Sequence, residues 1–113
     1  MSETSYAEHC ALMRFVGIFS GKWILPIIYH LIEQNKPVRF SELGKVLSPI
    51  TQKELSKQLK ILEKNQLIQK TIYPEIPPKV EYQITALGLT LKQPIQNLGQ
   101  WMDVYEKQMC ENA

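Results

Sequence analysis

No stretch of this chain stays apolar for long. The longest such run, Trp23 to Ile32, is interrupted by Pro26 and His30 and falls far short of the ~18 residues a membrane span needs. The opening MSETSYAEHC has neither the basic segment nor the apolar core of a secretory signal. The expectation is therefore a cytoplasmic protein without a membrane partner, its thiols reduced. Cysteine is scarce: Cys10 and Cys110 stand near opposite ends, with no CxxC and no His or Cys at metal-ligand spacing, which argues against a disulfide scaffold or a structural metal site. Glycine is scarce too, and none of the five forms a phosphate-binding loop. His9 and His30 lie far apart with no serine or carboxylate constellation, and HExxH and GxSxG are absent. No enzyme chemistry and no cofactor are indicated.

The chain has 113 residues, of which 44% are hydrophobic and 21% charged, the proportions of one ordinary globular domain. So small a domain buries only about two-thirds of the surface its unfolded chain exposes, so a leftover apolar stripe calls for a second subunit. The net charge of +2 says little, but its distribution says more. Seven Lys and three Glu between Lys45 and Lys79 give that segment a net +4, leaving −2 elsewhere. An electropositive middle points to a phosphate-bearing partner or, more plainly, to a solvated helix face.

Helical spacing of Leu12, Phe15, Val16 and Phe19 predicts a first helix, starting near Ser5 (a Ser5-x-x-Glu8 capping box) or just after Cys10. A second runs from Trp23 to about Gln34, with an irregular start expected at Pro26. Val38 to Phe40 reads as a short extended piece, after which Ser41 is expected to cap a brief third helix. The sharpest local signal follows. Thr51 and Glu54 make a capping box, and Ile50 and Leu55 a hydrophobic staple, so a helix begins at Thr51. Leu55, Leu59 and Leu62 form its inward stripe, and Gln52, Lys53, Ser56, Lys57 and Lys60 share the outer face. Two β-type runs, 68–73 and 80–85, flank the proline-rich PEIPPK, giving a hairpin with a stiff projecting loop. Finally Leu87, Leu91, Ile95, Leu98, Met102, Tyr105 and Met109 repeat at 3.5-residue average spacing, with Pro94 expected to divide a short helix from a longer one. That seam suits packing on the domain's own core and dimerisation.

This order is the plan of a winged helix-turn-helix: an α+β, mainly helical fold with a C-terminal dimerisation helix. We place the N-terminal helix at 5–19, the winged core at 20–85 and the dimerisation helices at 86–110. The helix after the tight turn enters the major groove. Gln52, Lys53, Ser56 and Lys57 then become base-reading candidates, with Lys57 also suited to phosphate. Thr51, Lys60, Lys70 and Lys79 are the candidates for the DNA backbone.

The chain resembles the HxlR-type winged-helix transcriptional regulators, a branch near the MarR group. The resemblance rests on Cys10 thirteen residues before Trp23, Gly21-Lys22-Trp23, Arg39-Phe40-Ser41-Glu42-Leu43, the segment Ile50 to Glu63, Tyr73-Pro74-Glu75-x-Pro77-Pro78-Lys79-Val80-Glu81-Tyr82, Thr85-x-Leu87-Gly88, and Trp101. It implies a homodimeric regulator of double-stranded DNA, a repressor on an inverted repeat, with Lys22, Ser41 and Lys79 touching the backbone. It also implies a dimer interface made by the N-terminal segment and last helix, where Leu12, Phe15, Ile95, Leu98, Trp101, Met102, Tyr105 and Met109 fall.

Some members of that group are thiol switches at the position of Cys10, which would make a small electrophile or oxidant the effector. Here Ala11 stands where a Pro usually follows that cysteine. Cys10 has His9 beside it and Arg14 one turn on, and gains the helix dipole if the helix begins at Ala11. It reads equally as a small buried hydrophobe at a dimer interface. Cys110 is either its resolving partner across the dimer or a bystander. Two other classes compete with the regulator reading. A winged-helix protein-interaction module would fold and dimerise without specific DNA binding, and a thiol oxidoreductase on Cys10 would lack the CxxC partner such chemistry uses.

Overall fold

The computed structural model describes residues 9–112; the Ser5–Glu8 capping pattern lies outside them. Helix α1 spans Ala11–Phe19 with Cys10 at its N-cap in extended backbone, as expected of a start just after Cys10; a start near Ser5 lies outside the described residues. A turn over Gly21–Trp23 swings the chain through 87° into α2, Ile24–Gln34. Pro26 is the third residue of α2, within the first turn, where its missing N–H has no intrahelical acceptor to lose. The irregular start expected there does not occur: Ile27 N already bonds Trp23 O at 3.0 Å. Asn35, at a φ of 46°, closes α2 by donating its N–H to Leu31 O, a left-handed cap that Asn tolerates.

Strand β1 is Val38–Arg39, and α3 is Phe40–Val46. The N-cap of α3 is Arg39, not Ser41, which sits inside the first turn with no capping bond. The helix starts early because Phe40 packs against the core. Helix α4, Gln52–Lys64, begins where the capping box predicts, with Thr51 Oγ1 accepting from Glu54 N at 3.1 Å. The Glu54 carboxylate accepts from Gln58 Nε2 at 2.7 Å.

Helix α4 ends at Asn65 and Gln66. Gln66 has a φ of 60°, its N–H bonds Glu63 O at 2.9 Å, and Leu67 N bonds Leu62 O at 3.0 Å. That pair of bonds is a Schellman motif with glutamine in the usual glycine place, and buried Leu62 and Leu67 supply its apolar contact.

The hairpin pairs β2, Ile68–Tyr73, with β3, Lys79–Ile84, in the register Ile68↔Ile84 to Tyr73↔Lys79. Strand β1 adds to the free edge of β3, giving the order β1-β3-β2. Residues 74–78 form the loop, with Ile76 fully exposed.

Thr85 caps the short α5, Ala86–Leu89. Its Oγ1 accepts from Gly88 N at 3.0 Å and donates toward the carbonyls of Gln66 and Leu67. Helix α6 runs from Lys92 to Glu111. The expected division at Pro94 falls instead at Thr90–Leu91, and Pro94 is the third residue of α6. Proline belongs in a first turn, so it begins this helix and does not break it.

The core lies where α2, α3, α4 and the sheet meet, with Ile24, Ile27, Ile28, Leu31, Leu43, Leu55, Leu59 and Leu62 essentially inaccessible. Helix α1 joins it through Phe19, with Phe15 and Ile18 against it, and α6 touches it only through Ile95. No residue of α6 is buried, and the chain measures 55 × 42 × 26 Å. Its radius of gyration is 16.7 Å, against about 13 Å for a compact chain of this length.

Candidate nucleic-acid interface

The residues from Phe40 to Lys64 make two helices joined by a tight connection at 47–51. Helix α4 is amphipathic in the way its spacing predicts: Leu55, Leu59 and Leu62 are buried, while Gln52, Lys53, Lys57 and Lys60 are exposed and Ser56 is half-buried. This leaves a polar, cationic ridge with no bulky apolar residue. Thr51 Oγ1 is occupied as an acceptor by Glu54 N, which leaves its hydroxyl proton to donate outward at the positive end of a 13-residue helix.

Sequence reasoning missed Gln58. It is the one buried polar side chain among the described residues, 4% exposed on the inner face of α4. A Cβ on Gly21 would lie 3.1 Å from Gln58 Oε1, so the turn before α2 rests directly on the recognition helix. That contact brings Lys22 close to α4. Lys22 is exposed, its Nζ 5.1 Å from the Trp23 ring centre.

The wing presents its two lysines differently. Cross-strand partners share a face and alternate along the strand. Lys70, opposite Tyr82, therefore lies with Ile68, Ile72 and Val80 on the inner face of the hairpin, while Lys79, opposite Tyr73, lies on the outer face. Lys79 is already engaged, 3.5 Å from Glu81 Oε2 and 5.0 Å from the Tyr73 ring centre. Lys70 instead faces a groove of about 350 Å³ between the wing and the recognition helix, shared with Arg39, Ser41 and Ser56. Tyr82 also lines it; burial, and then the charge of Glu63, push its phenol above the usual tyrosine range, so it stays neutral. A second groove of about 560 Å³, between α3 and α4, is lined by Ser41, Lys45 and Gln52. Arg39 and Lys45, both exposed, are surface cations that pattern reading left unassigned.

The residues expected at a dimer interface divide into two groups. Leu98, Trp101, Met102, Tyr105 and Met109 form one exposed stripe along α6, with Trp101 62% exposed and its ring stacked on Tyr105 at 5.3 Å. Leu12 is 69% exposed on α1. Phe15 and Ile95 are half-buried against the chain's own core, and Phe15 stacks on Phe19 at 4.4 Å. Cys10 is half-buried and Cys110 exposed, both as free thiols. Among the described residues, no single helix is long and apolar enough to cross a membrane.

Comparison with known proteins agrees with this geometry. The model of the HxlR-like helix-turn-helix family matches residues 18–110. The HTH-type transcriptional regulator YdeP of Bacillus subtilis is 38% identical over 99 residues, covering 88% of this chain and 76% of that protein. YodB of the same organism, also named an HTH-type transcriptional regulator, is 33% identical over 102 residues, 90% of this chain and 87% of its own. Its reduced form superposes with a TM-score of 0.72 at 32% identity, over 92% of this chain and 97% of YodB. The redox regulator HypR in its reduced form superposes with a TM-score of 0.79 at 29% identity, over 92% of this chain and 100% of HypR. HypR has also been solved oxidised, and YodB after diamide treatment. Two helices joined at 47–51, a wing, a cationic reading face and a family match across most of the sequence lead to one conclusion: this chain belongs to the HxlR-like helix-turn-helix transcriptional regulators.

Proposed function

We propose that the protein is a cytoplasmic, homodimeric repressor that reads an inverted-repeat operator through α4. The observation that carries this reading is the outer face of that helix: Gln52, Lys53, Ser56 and Lys57 stand together, with no acid and no apolar residue among them, next to a wing and two polar grooves. Gln and Lys at such positions suit adenine and guanine edges, and Ser56 either base. Thr51, Ser41, Lys22, Lys60, Lys70 and Lys79 would hold backbone phosphates and set the register. Two copies joined through α1 and α6 would present their reading helices about 34 Å apart, one turn of DNA.

The reading includes a thiol response at Cys10. Its position at the N-cap of α1, half-buried, supports this, as do relatives solved in reduced and in oxidised or diamide-treated forms. A small electrophile or oxidant would be the effector, and Cys110 of the second copy the resolving thiol.

Fluorescence anisotropy with the DNA upstream of the protein's own gene, titrated at several salt concentrations with and without diamide, tests both parts. Operator binding is expected to be tight, salt-sensitive and stronger than on random duplex, and to be lost with diamide in wild type but not in Cys10→Ser. Equal, weak binding on every sequence would instead favour a protein-interaction module. Diamide-insensitive operator binding would remove the thiol switch alone.

A further inference from the structure

We infer that the buried Gln58 amide is a positioning residue for DNA binding: it holds the Glu54 carboxylate along the inner side of α4 and so keeps Lys57 free for the duplex. This rests on the operator-binding reading and adds to it a residue that itself touches no DNA. Gln58 occupies a place in the inward stripe of α4, among buried Leu55, Leu59 and Leu62, where an apolar side chain would be the ordinary choice. An amide persists in such a place only when its polar atoms are used. Its Nε2 donates to Glu54 Oε1 at 2.7 Å.

Gly21 confines that amide. A Cβ on Gly21 would lie 3.1 Å from Gln58 Oε1 and 3.4 Å from both Cδ and Nε2, close to the whole group and not to one end of it. Because Gly21 has no side chain, the turn before α2 closes over the amide and keeps it on α4, within reach of Glu54.

Glu54 is the one acid between Thr51 and Lys60, and it is half-buried. Residues three and four apart on a helix are neighbours, so its carboxylate has Lys57 beside it as well as Gln58. Gln58 takes it, and Lys57 stands exposed with no ion pair within 4 Å among the described residues. Without the amide, the carboxylate would turn to the neighbouring cation. The reading face would then lose one positive charge to a pair within the helix.

The test measures operator binding over a salt series for full-length Gln58→Met, which keeps an unbranched, adaptable side chain and removes the amide; a thermal melt establishes that the variant folds. It is expected to bind about tenfold more weakly and with a salt slope lower by about one. Glu54→Gln in the same background should restore both, and should change wild type far less. Gln58→Met should add nothing to Lys57→Ala, because the cation it silences is already gone. A purely structural role for Gln58 would leave the slope unmoved. A wild-type slope in folded Gln58→Met would therefore overturn the proposal at any affinity, as would losses for Gln58→Met and Lys57→Ala that add fully. Should Gln58→Met fail to fold, Gln58→Leu, which completes the apolar stripe, replaces it under the same criteria. If wild type itself shows no salt-sensitive preference for the operator, the operator reading fails and this role with it, an outcome distinct from the other two.

Discussion

Gln66 occupies the left-handed region at a φ of 60°, where a side chain costs about 1 kcal/mol that glycine avoids. Gln66→Gly should therefore stabilise the fold by about 1 kcal/mol, seen as a higher urea midpoint at an unchanged m-value. Gly88 is the opposite case. An added Cβ would meet the Leu67 carbonyl oxygen and the Ile84 side chain, and a backbone atom cannot rotate away. Gly88→Ala should cost about 1–3 kcal/mol, the usual penalty of overpacking, in the same denaturation experiment. On the reading face the expected effects differ in kind. Replacing Gln52 or Lys53 should relax preference at one or two base pairs, at about 1–3 kcal/mol per lost contact, whereas Lys57→Ala should weaken binding evenly if that lysine meets only phosphate. Competition against an operator library separates the two. At this scale pattern reading found the exposed face of α4 but not Gln58, because a glutamine among lysines reads as solvated. Its spacing, three residues after Leu55 and four before Leu62, was the available signal, and the structure buries it there against Gly21.

The capping chemistry of α4 was legible because it is local: Thr51 accepts the backbone N–H three residues on, as its spacing from Glu54 requires. The hairpin was equally plain, since alternation and prolines are local too. The misreadings arose where tertiary packing overrides a local preference. Ser41 resembles a cap, but the packing of Phe40 against the core draws the helix two residues earlier. Pro94 resembles a breaker, yet a first turn accepts it. The C-terminal seam was read as shared between core and partner, and the structure divides it sharply. Leu91 and Ile95 pack on the core, and everything from residue 97 to 112 is exposed. At 20 residues α6 is about 30 Å long, well beyond the body it rises from. Charges placed in its stripe should therefore spare the fold and abolish association. The double variant Leu98→Glu with Trp101→Glu is expected to sediment as a folded monomer where wild type sediments as a dimer. A dimer that survives both changes would exclude α6 as the interface.

At the scale of the whole molecule, the exposed surface is 8300 Å², whereas a globular chain of this mass shows about 6,400 Å². The excess of roughly 2,000 Å² per copy is in the range that permanent homodimers bury. Charge is partitioned in the same way as surface: the cations gather between residues 45 and 79, while the terminal helices carry the apolar stripes. Mild oxidation probes how the two halves communicate. Non-reducing electrophoresis after diamide should give a covalent dimer that Cys10→Ser abolishes, and persistence of that band in Cys10→Ser would assign the link to Cys110 alone. Helix α6 has a further consequence, thermodynamic rather than geometric. The proposed homodimer would cover this helix with another copy and so tie folding to abundance, because association draws on the folded form alone. Each tenfold dilution should then remove about 1.4 kcal/mol from the stability of that dimer, and the melting temperature should fall with it, so a cell holding few copies would hold a less durable regulator.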